Sequence, residues 1–430
     1  MPRVAPLRVA VVGAGLGGLT AAVALHQAGC DVEVYEQAPE LTEVGGGINL
    51  GPNAARVLYR LGLGHALDRE AVRPASTHQR RWQDGRTLQR APLNPRCEEL
   101  YGAPHLTVHR ADLLAIIASG FPPERVSLGH RLVGLADRGD HVDAWFQNGL
   151  RITADVLVGA DGINSTVRAA LLGEEAPRFA GCVAYRGLVP TERIVDLGLE
   201  IGSQSWVGPG GHLVHYFVSR GRLLNFVGWT EHDTWNREDW TDRATIARAL
   251  ASFDGWHPQI GRIIAAADTC FIWALFDREP LPRWSVGRTT LLGDACHPMY
   301  PFMGQGAAQA IEDGRRWPPA LPPRAPTIRS RRCAATRSCV GPASPGSRRC
   351  RAQQDALPSP GRPGPGSARR RVGEGRRSVA RRIALALRVR CHRASEKLIA
   401  QLARRAASTS HFDLIVVSSA RRTVVTSWKT

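Results

Sequence analysis

Apolar residues near the N-terminus fall in short dense runs rather than in one long stretch. Leu7-Arg8-Val9-Ala10-Val11-Val12 is a β-rich run suited to a strand buried on both faces. Leu19 to Ala28 then reads as a helix, closed by Gly29 as its C′ residue. Asp31-Val32-Glu33-Val34-Tyr35-Glu36 predicts a second strand. Two later runs have the same form and end in Gly/Asp turns: Ile152–Val158 before Gly159-Ala160-Asp161-Gly162, and Arg288–Leu292 before Gly293-Asp294. If Gly211-His212-Leu213-Val214-His215-Tyr216-Phe217-Val218 is a strand, His212 and Tyr216 share a face and His215 points away, because side chains alternate with a period of two. After Gly314 the patterning stops. No period of 2 or 3.6 follows, and prolines at 318, 319, 322, 323 and 326 forbid a regular helix there. Only residues 379–402 have modest helical character, and 412–417 form a short β-like run.

Composition narrows the class. The chain has 430 residues, 43% hydrophobic and 22% charged, enough for two packed domains or one domain with a large insertion. It contains no uninterrupted apolar run of the roughly 18 residues that a spanning helix needs, and its start lacks the apolar core of a secretion signal. Neither a membrane span nor a membrane partner is therefore expected. Nine scattered cysteines without a C-x-x-C pair argue against a disulfide framework and for a reduced, cytoplasmic setting. Cys296-His297 are neighbours without further spaced ligands, so no metal is expected.

The formal net charge of +18 points at first to a polyanionic partner. Its distribution removes that inference. Residues 315–430 hold 27 basic and 4 acidic side chains, whereas 1–314 hold 29 basic and 34 acidic ones. The body is acidic and the tail basic. Rich in Arg, Pro, Ala, Gly and Ser, the tail reads as a frameshifted or disordered segment of a GC-rich gene. A nucleic-acid-binding arm is the rival reading, disfavoured because the arginines show no regular aromatic interleaving and no RNA-binding motif.

The first forty residues carry a specific chemistry. Gly13, Gly15 and Gly18 satisfy G-x-G-x-x-G between the first strand and the helix, and Glu36 closes the second strand about twenty residues later. Gly13 allows a tight turn, Gly15 lets a pyrophosphate approach the backbone, and Gly18 lets the helix pack on the strand. An acid at position 36 suits a ribose diol and disfavours a 2′-phosphate. The Gly/Asp turns at Asp161 and Asp294 would sit at carboxyl ends of strands, where doubly wound sheets bind ligands.

With these three motifs in order, together with Ile48-Asn49-Leu50-Gly51-Pro52-Asn53-Ala54 and His109-Arg110-Ala111-Asp112-Leu113, residues 1–314 resemble the single-component FAD-dependent aromatic hydroxylases. The branch most resembled is that of salicylate hydroxylase, 3-hydroxybenzoate 6-hydroxylase and 6-hydroxynicotinate 3-monooxygenase. The resemblance implies an α/β fold: a Rossmann-type FAD-binding domain (1–180 and 281–314) with an inserted mostly β substrate domain (181–280); beyond it the tail (315–430) reads as irregular. It assigns Gly13, Gly15, Gly18 and Glu36 to the ADP half of FAD, Arg110 to the pyrophosphate, and Asp294 to the ribityl hydroxyls. Asp161 would serve flavin and reduced nicotinamide, and a helix starting near Gly306 would point at the flavin N1–C2=O edge. NADH or NADPH would be the co-substrate, visiting transiently because the chain has no second dinucleotide fingerprint.

The implied reaction is oxygen transfer from O2 to a small aromatic acid through a flavin C4a-hydroperoxide. His212 would accept the phenol proton and Tyr216 would orient the ring or its carboxylate. Asn49 stands where the hydroxynicotinate enzymes have a histidine, and Pro301-Phe302 replaces polar residues, so the reading leans toward a salicylate-like acid. A flavin-binding remnant inactivated by the tail is the alternative. The resemblance is compatible with a homodimer.

Overall fold

In this computed structural model the described residues are 5–41, 46–232, 242–279, 281–316, 413–418 and 422–427, with only the backbone described for 242–244 and the last two segments. The expected helical stretch at 379–402, and the assignment of the tail as disordered or frameshifted, lie almost wholly outside them. The chain divides into two units, 1–336 and 337–430.

The first unit opens with β1 (Arg8–Val12), α1 (Leu16–Gln27) and β2 (Asp31–Tyr35), followed by β3 (Gly47–Leu50) and α2 (Arg110–Ala118). Later come β4 (Val156–Gly159), α3 (Thr166–Leu172), β5 (Arg178–Pro190), β6 (Gly211–Val218) and β7 (Leu223–Glu231). The last elements are β8 (Cys270–Asp277), β9 (Thr289–Leu291) and α4 (Gly306–Arg316).

A six-stranded sheet is ordered Ser285–Val286, β9, β4, β1, β2, Val126–Ser127, parallel except for its first strand. Its apolar strands are buried on both sides, as their unbroken sequence runs require. Val9 and Val11 face α1 and α2, whereas Ala10 and Val12 face an antiparallel meander of Leu132–Asp137, Val142–Phe146 and Arg151–Ala154. Fully buried Leu19, Val23 and Leu25 fix α1 to the sheet, at roughly 1.5–3 kcal/mol each.

Helix α1 begins at Leu16, not at the expected Leu19. Gly17 and Gly18 form helix poorly by themselves, but packing demands their small size. A Cβ on Gly17 would lie 2.8 Å from the Leu292 side chain and 3.1 Å from Ala310 Cβ. That contact is with α4, which runs two residues past the expected boundary at 314. Its Gly314 sits against α1: a Cβ there would meet Ala21 N at 2.8 Å and Gly17 O at 2.9 Å.

The second sheet has eight strands, ordered Asp242–Ala244, β8, β5, β7, β6, Ser203–Gly208, Ser76–Arg81, Thr87–Pro92. All neighbours are antiparallel except Ser203–Gly208 and Ser76–Arg81. It therefore draws two strands from within 1–180, the segment that sequence assigned to the nucleotide domain. One face packs on helices around Phe253, Ile260 and Ile264. The other meets β3, where Gly47 N donates to Asn225 Oδ1 at 2.6 Å. In the second unit, Asp413–Ser418 and Arg422–Ser427 pair as an antiparallel hairpin in the tail read as irregular, on the β-like run seen in the sequence.

Candidate active site

Loops leave the carboxyl ends of β1, β4 and β9 side by side, at the edge where open parallel sheets take ligands. Ala160 N donates to Val12 O at 2.7 Å, Leu292 N to Gly159 O at 3.0 Å and Gly13 N to Tyr35 O at 2.8 Å. Gly13 has φ +104°, and a Cβ on it would fall 2.4 Å from Ala160 O. A Cβ on Gly18 would fall 2.0 Å from Gly13 O, forcing helix and strand apart. Gly15 is different, with nothing within 4 Å of its missing side chain. It caps the N-terminus of α1, so that space opens onto unpaired N–H groups and the positive end of the helix dipole. The cradle fits a pyrophosphate. Glu36 is held beside it, accepting from Ala14 N at 2.7 Å and Ala38 N at 2.9 Å. Each carboxylate oxygen keeps a lone pair for a ribose hydroxyl.

The other acidic candidates differ in surroundings. Asp161 accepts from Ser165 Oγ and from Val167 N at 3.0 Å, so its carboxylate caps α3 and shapes the turn beside Gly13. Burial raises its pKa against the pull of those bonds. Asp294 is open to solvent yet crowded by protein. Desolvation raises its pKa, while Arg110 and His297 lower it. Arg110 opens α2, and its backbone N–H donates to Gly46 O at 3.1 Å. Burial lowers its pKa and Asp294 counters. Behind this loop, His297 Nε2 lies 2.6 Å from Asp313 Oδ2, which also accepts from Gly293 N at 3.1 Å. Helix α4, with Gly306 at its first turn, is thereby tied to the loop that carries Asp294.

The β sheet supplies the aromatic wall. His212 stacks on Trp229 with ring centroids 4.3 Å apart, and Phe302 meets it edge-on at 5.7 Å. Burial lowers the His212 pKa to about 4, so the imidazole is neutral at ordinary pH. Tyr216 is buried beneath β3, where a Cβ on Gly47 would lie 2.5 Å from its ring. Burial raises its pKa, partly offset by Arg186. His215 turns to the opposite face and bonds Trp206 Nε1 at 3.1 Å. The alternation expected from sequence therefore holds.

Sequence reasoning missed Arg186, Asn225, Trp229 and Trp273. The ladder pairs Tyr216 with Asn225, His212 with Trp229, and both Val214 and Arg186 with Val227, which puts them on one face. The Arg186 guanidinium lies 4.1 Å over the Trp273 ring. Gly46 links the two halves of the site, because its carbonyl bonds Arg110 and a Cβ on it would lie 3.9 Å from Arg186 Nη1. A signal for Arg186 was present: it is charged, but falls in phase with Ala184 and Leu188 in an apolar strand.

Among the described residues, no cluster of His, Cys, Asp or Glu could hold a metal, and no helix is long and apolar enough to cross a membrane. A family model described as FAD binding domain matches residues 6–317. The 3-amino-4-hydroxybenzoate 2-monooxygenase PtmB3 of Streptomyces platensis is 42% identical over 306 residues, covering 71% of this chain and 77% of that protein. The 6-hydroxynicotinate 3-monooxygenase of Pseudomonas fluorescens is 41% identical over 309 residues, 71% of this chain and 80% of that protein. A crystal structure of Klebsiella pneumoniae HpxO with FAD and uric acid matches with a TM-score of 0.70 at 30% identity, covering 78% of this chain and 86% of that one. Fold and cradle thus define an FAD-binding oxidoreductase. The chain belongs to the FAD-dependent aromatic monooxygenases, the family its motifs resemble.

Proposed function

We propose that this enzyme hydroxylates a small aromatic hydroxy acid at the expense of O2 and NADH or NADPH. The observation that carries the reading is the junction at Gly46 and Gly47, which bonds Arg110 on one side and packs against Arg186, Asn225 and Tyr216, on the sheet face that carries His212 and Trp229, on the other. Gly13, Gly15, Gly18 and the α1 N-terminus would hold the FAD pyrophosphate, and Glu36 its ribose. Arg110 and Asp294 would hold the pyrophosphate and ribityl stretch, with Asp161 fixing the turn between. The N-terminus of α4 at Gly306 would face the electron-rich edge of the flavin. When bound, the flavin supplies electron uptake from the nicotinamide and oxygen activation.

The protein's part is to bind, orient and exclude water. Trp229 and Phe302 flank His212 and keep it desolvated, so it stays neutral and presents a nitrogen acceptor to the phenolic O–H. A buried imidazole with so low a pKa does not strip that proton beforehand. It holds the hydroxyl by a hydrogen bond, and takes the proton as oxygen insertion makes the phenol more acidic. Tyr216 would orient the ring from the same strand, four residues on. The apolar Pro301-Phe302 edge favours a hydroxybenzoate of the salicylate kind.

The test is NADH consumption by the FAD-loaded protein in the presence of salicylate, other hydroxybenzoates and 6-hydroxynicotinate. Stimulation by one of them, with a hydroxylated product, supports the reading. No stimulation by any removes this substrate class.

A further inference from the structure

The inner face of the β sheet has an imbalance that the hydroxylation chemistry does not use. Among the described residues, four buried N–H donors on it have no hydrogen-bond partner: Arg186 Nε, Asn225 Nδ2, Trp229 Nε1 and Trp273 Nε1. The Asn225 oxygen is already used by Gly47 N, so only its donor end is spare. Among the described residues, Arg186 has no carboxylate beside it. The charged or titratable groups that act on it are Tyr216 and Arg110, the second of the same sign. A small cavity lies against it, lined by Gly46, Arg186, Gly187, Leu188, Phe271 and Trp273 among others.

A buried cation without a counter-ion costs several kcal/mol, and buried donors left unpaired cost more. Such a group persists where a ligand supplies the missing charge. An anion fits because every spare group here donates. A planar carboxylate fits best, because a guanidinium presents parallel N–H bonds in a fork. The Trp273 ring below the guanidinium fixes the plane of that fork.

We propose that Arg186, seated on Trp273, is the carboxylate anchor of the substrate and selects acids over neutral phenols. The assignment rests on the function proposed above, and it names the residue that sets the substrate class. Division of labour follows: Arg186 takes the carboxylate and His212 the hydroxyl, with Tyr216 on the same strand as His212.

The test uses the full-length FAD-loaded protein. Dissociation constants for salicylate, benzoate and phenol are measured by calorimetry and by perturbation of the flavin spectrum, for wild type, Arg186→Gln, Arg186→Met and Arg186→Lys. Glutamine and methionine are expected to weaken benzoate and salicylate binding about 10- to 100-fold, the loss typical of a charge-assisted hydrogen bond. Lysine should be intermediate, since it keeps the charge and loses the fork. Phenol and FAD affinities should not change. Arg186→Met should also melt no lower than wild type, because it removes an unpaired buried charge; an arginine that merely held the fold would give a lower melting temperature. Equal losses for phenol and benzoate, loss of FAD binding, or carboxylate affinities unaltered in all three variants would each overturn the anchor. Stimulated NADH oxidation without Arg186 dependence overturns the anchor alone. Arg186-dependent benzoate binding without turnover of any hydroxy acid supports the anchor and refutes the hydroxylase reading. Absence of carboxylate binding in wild type overturns both.

Discussion

Acidification should unfold this protein over a definable range, because it buries several histidines in their neutral form. Burial lowers His105 and His212 to about 4 and His215 to about 3, from an ordinary 6.5. The unfolded chain binds these protons as pH falls through 6.5, whereas the native state does not until about 4 or below. Stability is therefore intact above 6.5 and lost progressively as pH falls toward 4. Three protons taken up on unfolding give a slope of about 4 kcal/mol per pH unit between pH 5 and 6. Carried to pH 4 the cost is on the order of 10 kcal/mol, comparable to the whole stability of a typical domain. His78, also lowered by burial, adds to the slope. Asp161 and Asp294, raised by burial, take protons in the native state and subtract at the acid end. His297 opposes the trend too: burial lowers it, Asp313 outweighs burial, and its net raised pKa gives stability that fades as pH rises. The assay is urea unfolding followed by tryptophan fluorescence at half-unit steps from pH 5 to 7. Proton uptake is checked by calorimetry in buffers of different ionisation heat. A slope below about 1.4 kcal/mol per pH unit, one proton, would refute the reasoning.

Other changes have separate expected outcomes. Gly314→Val drives a branched side chain into the α1 backbone at Ala21 N and Gly17 O; it should destabilise by about 1–3 kcal/mol or more, read as a lower urea midpoint with weakened FAD retention. Asp161→Ala removes the acceptor for Ser165 Oγ and Val167 N, with an expected loss of about 1 kcal/mol in thermal unfolding. His212→Gln should lower kcat/KM for a hydroxy acid by about 100-fold while leaving benzoate binding within a few-fold, measured by NADH oxidation and flavin perturbation. Gly15→Val fills the open side of the cradle without touching the protein, so FAD affinity should fall while the apoprotein melts nearly unchanged.

How legible these features were depended on whether their cause was local. The β1–α1–β2 unit could be read from seven to thirty-six because each part has a local signature: apolar strands, glycines at a turn, an acid at a strand end. The start of α1 was misplaced because Gly17 and Gly18 are there for their contacts with α4 and Gly13, not for helix propensity. Ser76–Arg81 and Thr87–Pro92 could not be placed in the second sheet, because a parallel pairing with Ser203–Gly208 spans more than a hundred residues. That His212 and Tyr216 share a face was legible from period two alone. Arg186 needed more, since only the closed sheet shows that no carboxylate of the described residues comes near it.

The charges of the site are arranged along its length, and that arrangement bears on specificity. Carboxylates gather at the dinucleotide end, in Glu36, Asp161 and Asp294, each already held by backbone or side-chain donors or facing Arg110. The spare groups of the β wall are donors. A neutral arene bound there leaves Arg186, Asn225 and Trp273 as unpaired as they are in the free protein. The cost is about 1–3 kcal/mol for each donor left unpaired, and more for the charged one. An acid recovers that cost on binding. Selectivity for acids therefore comes from a cost that only an acid recovers. It predicts that removing the charge, as Arg186→Met does, should narrow the gap between phenol and salicylate by weakening salicylate alone, which binding of the two ligands to that one variant measures directly.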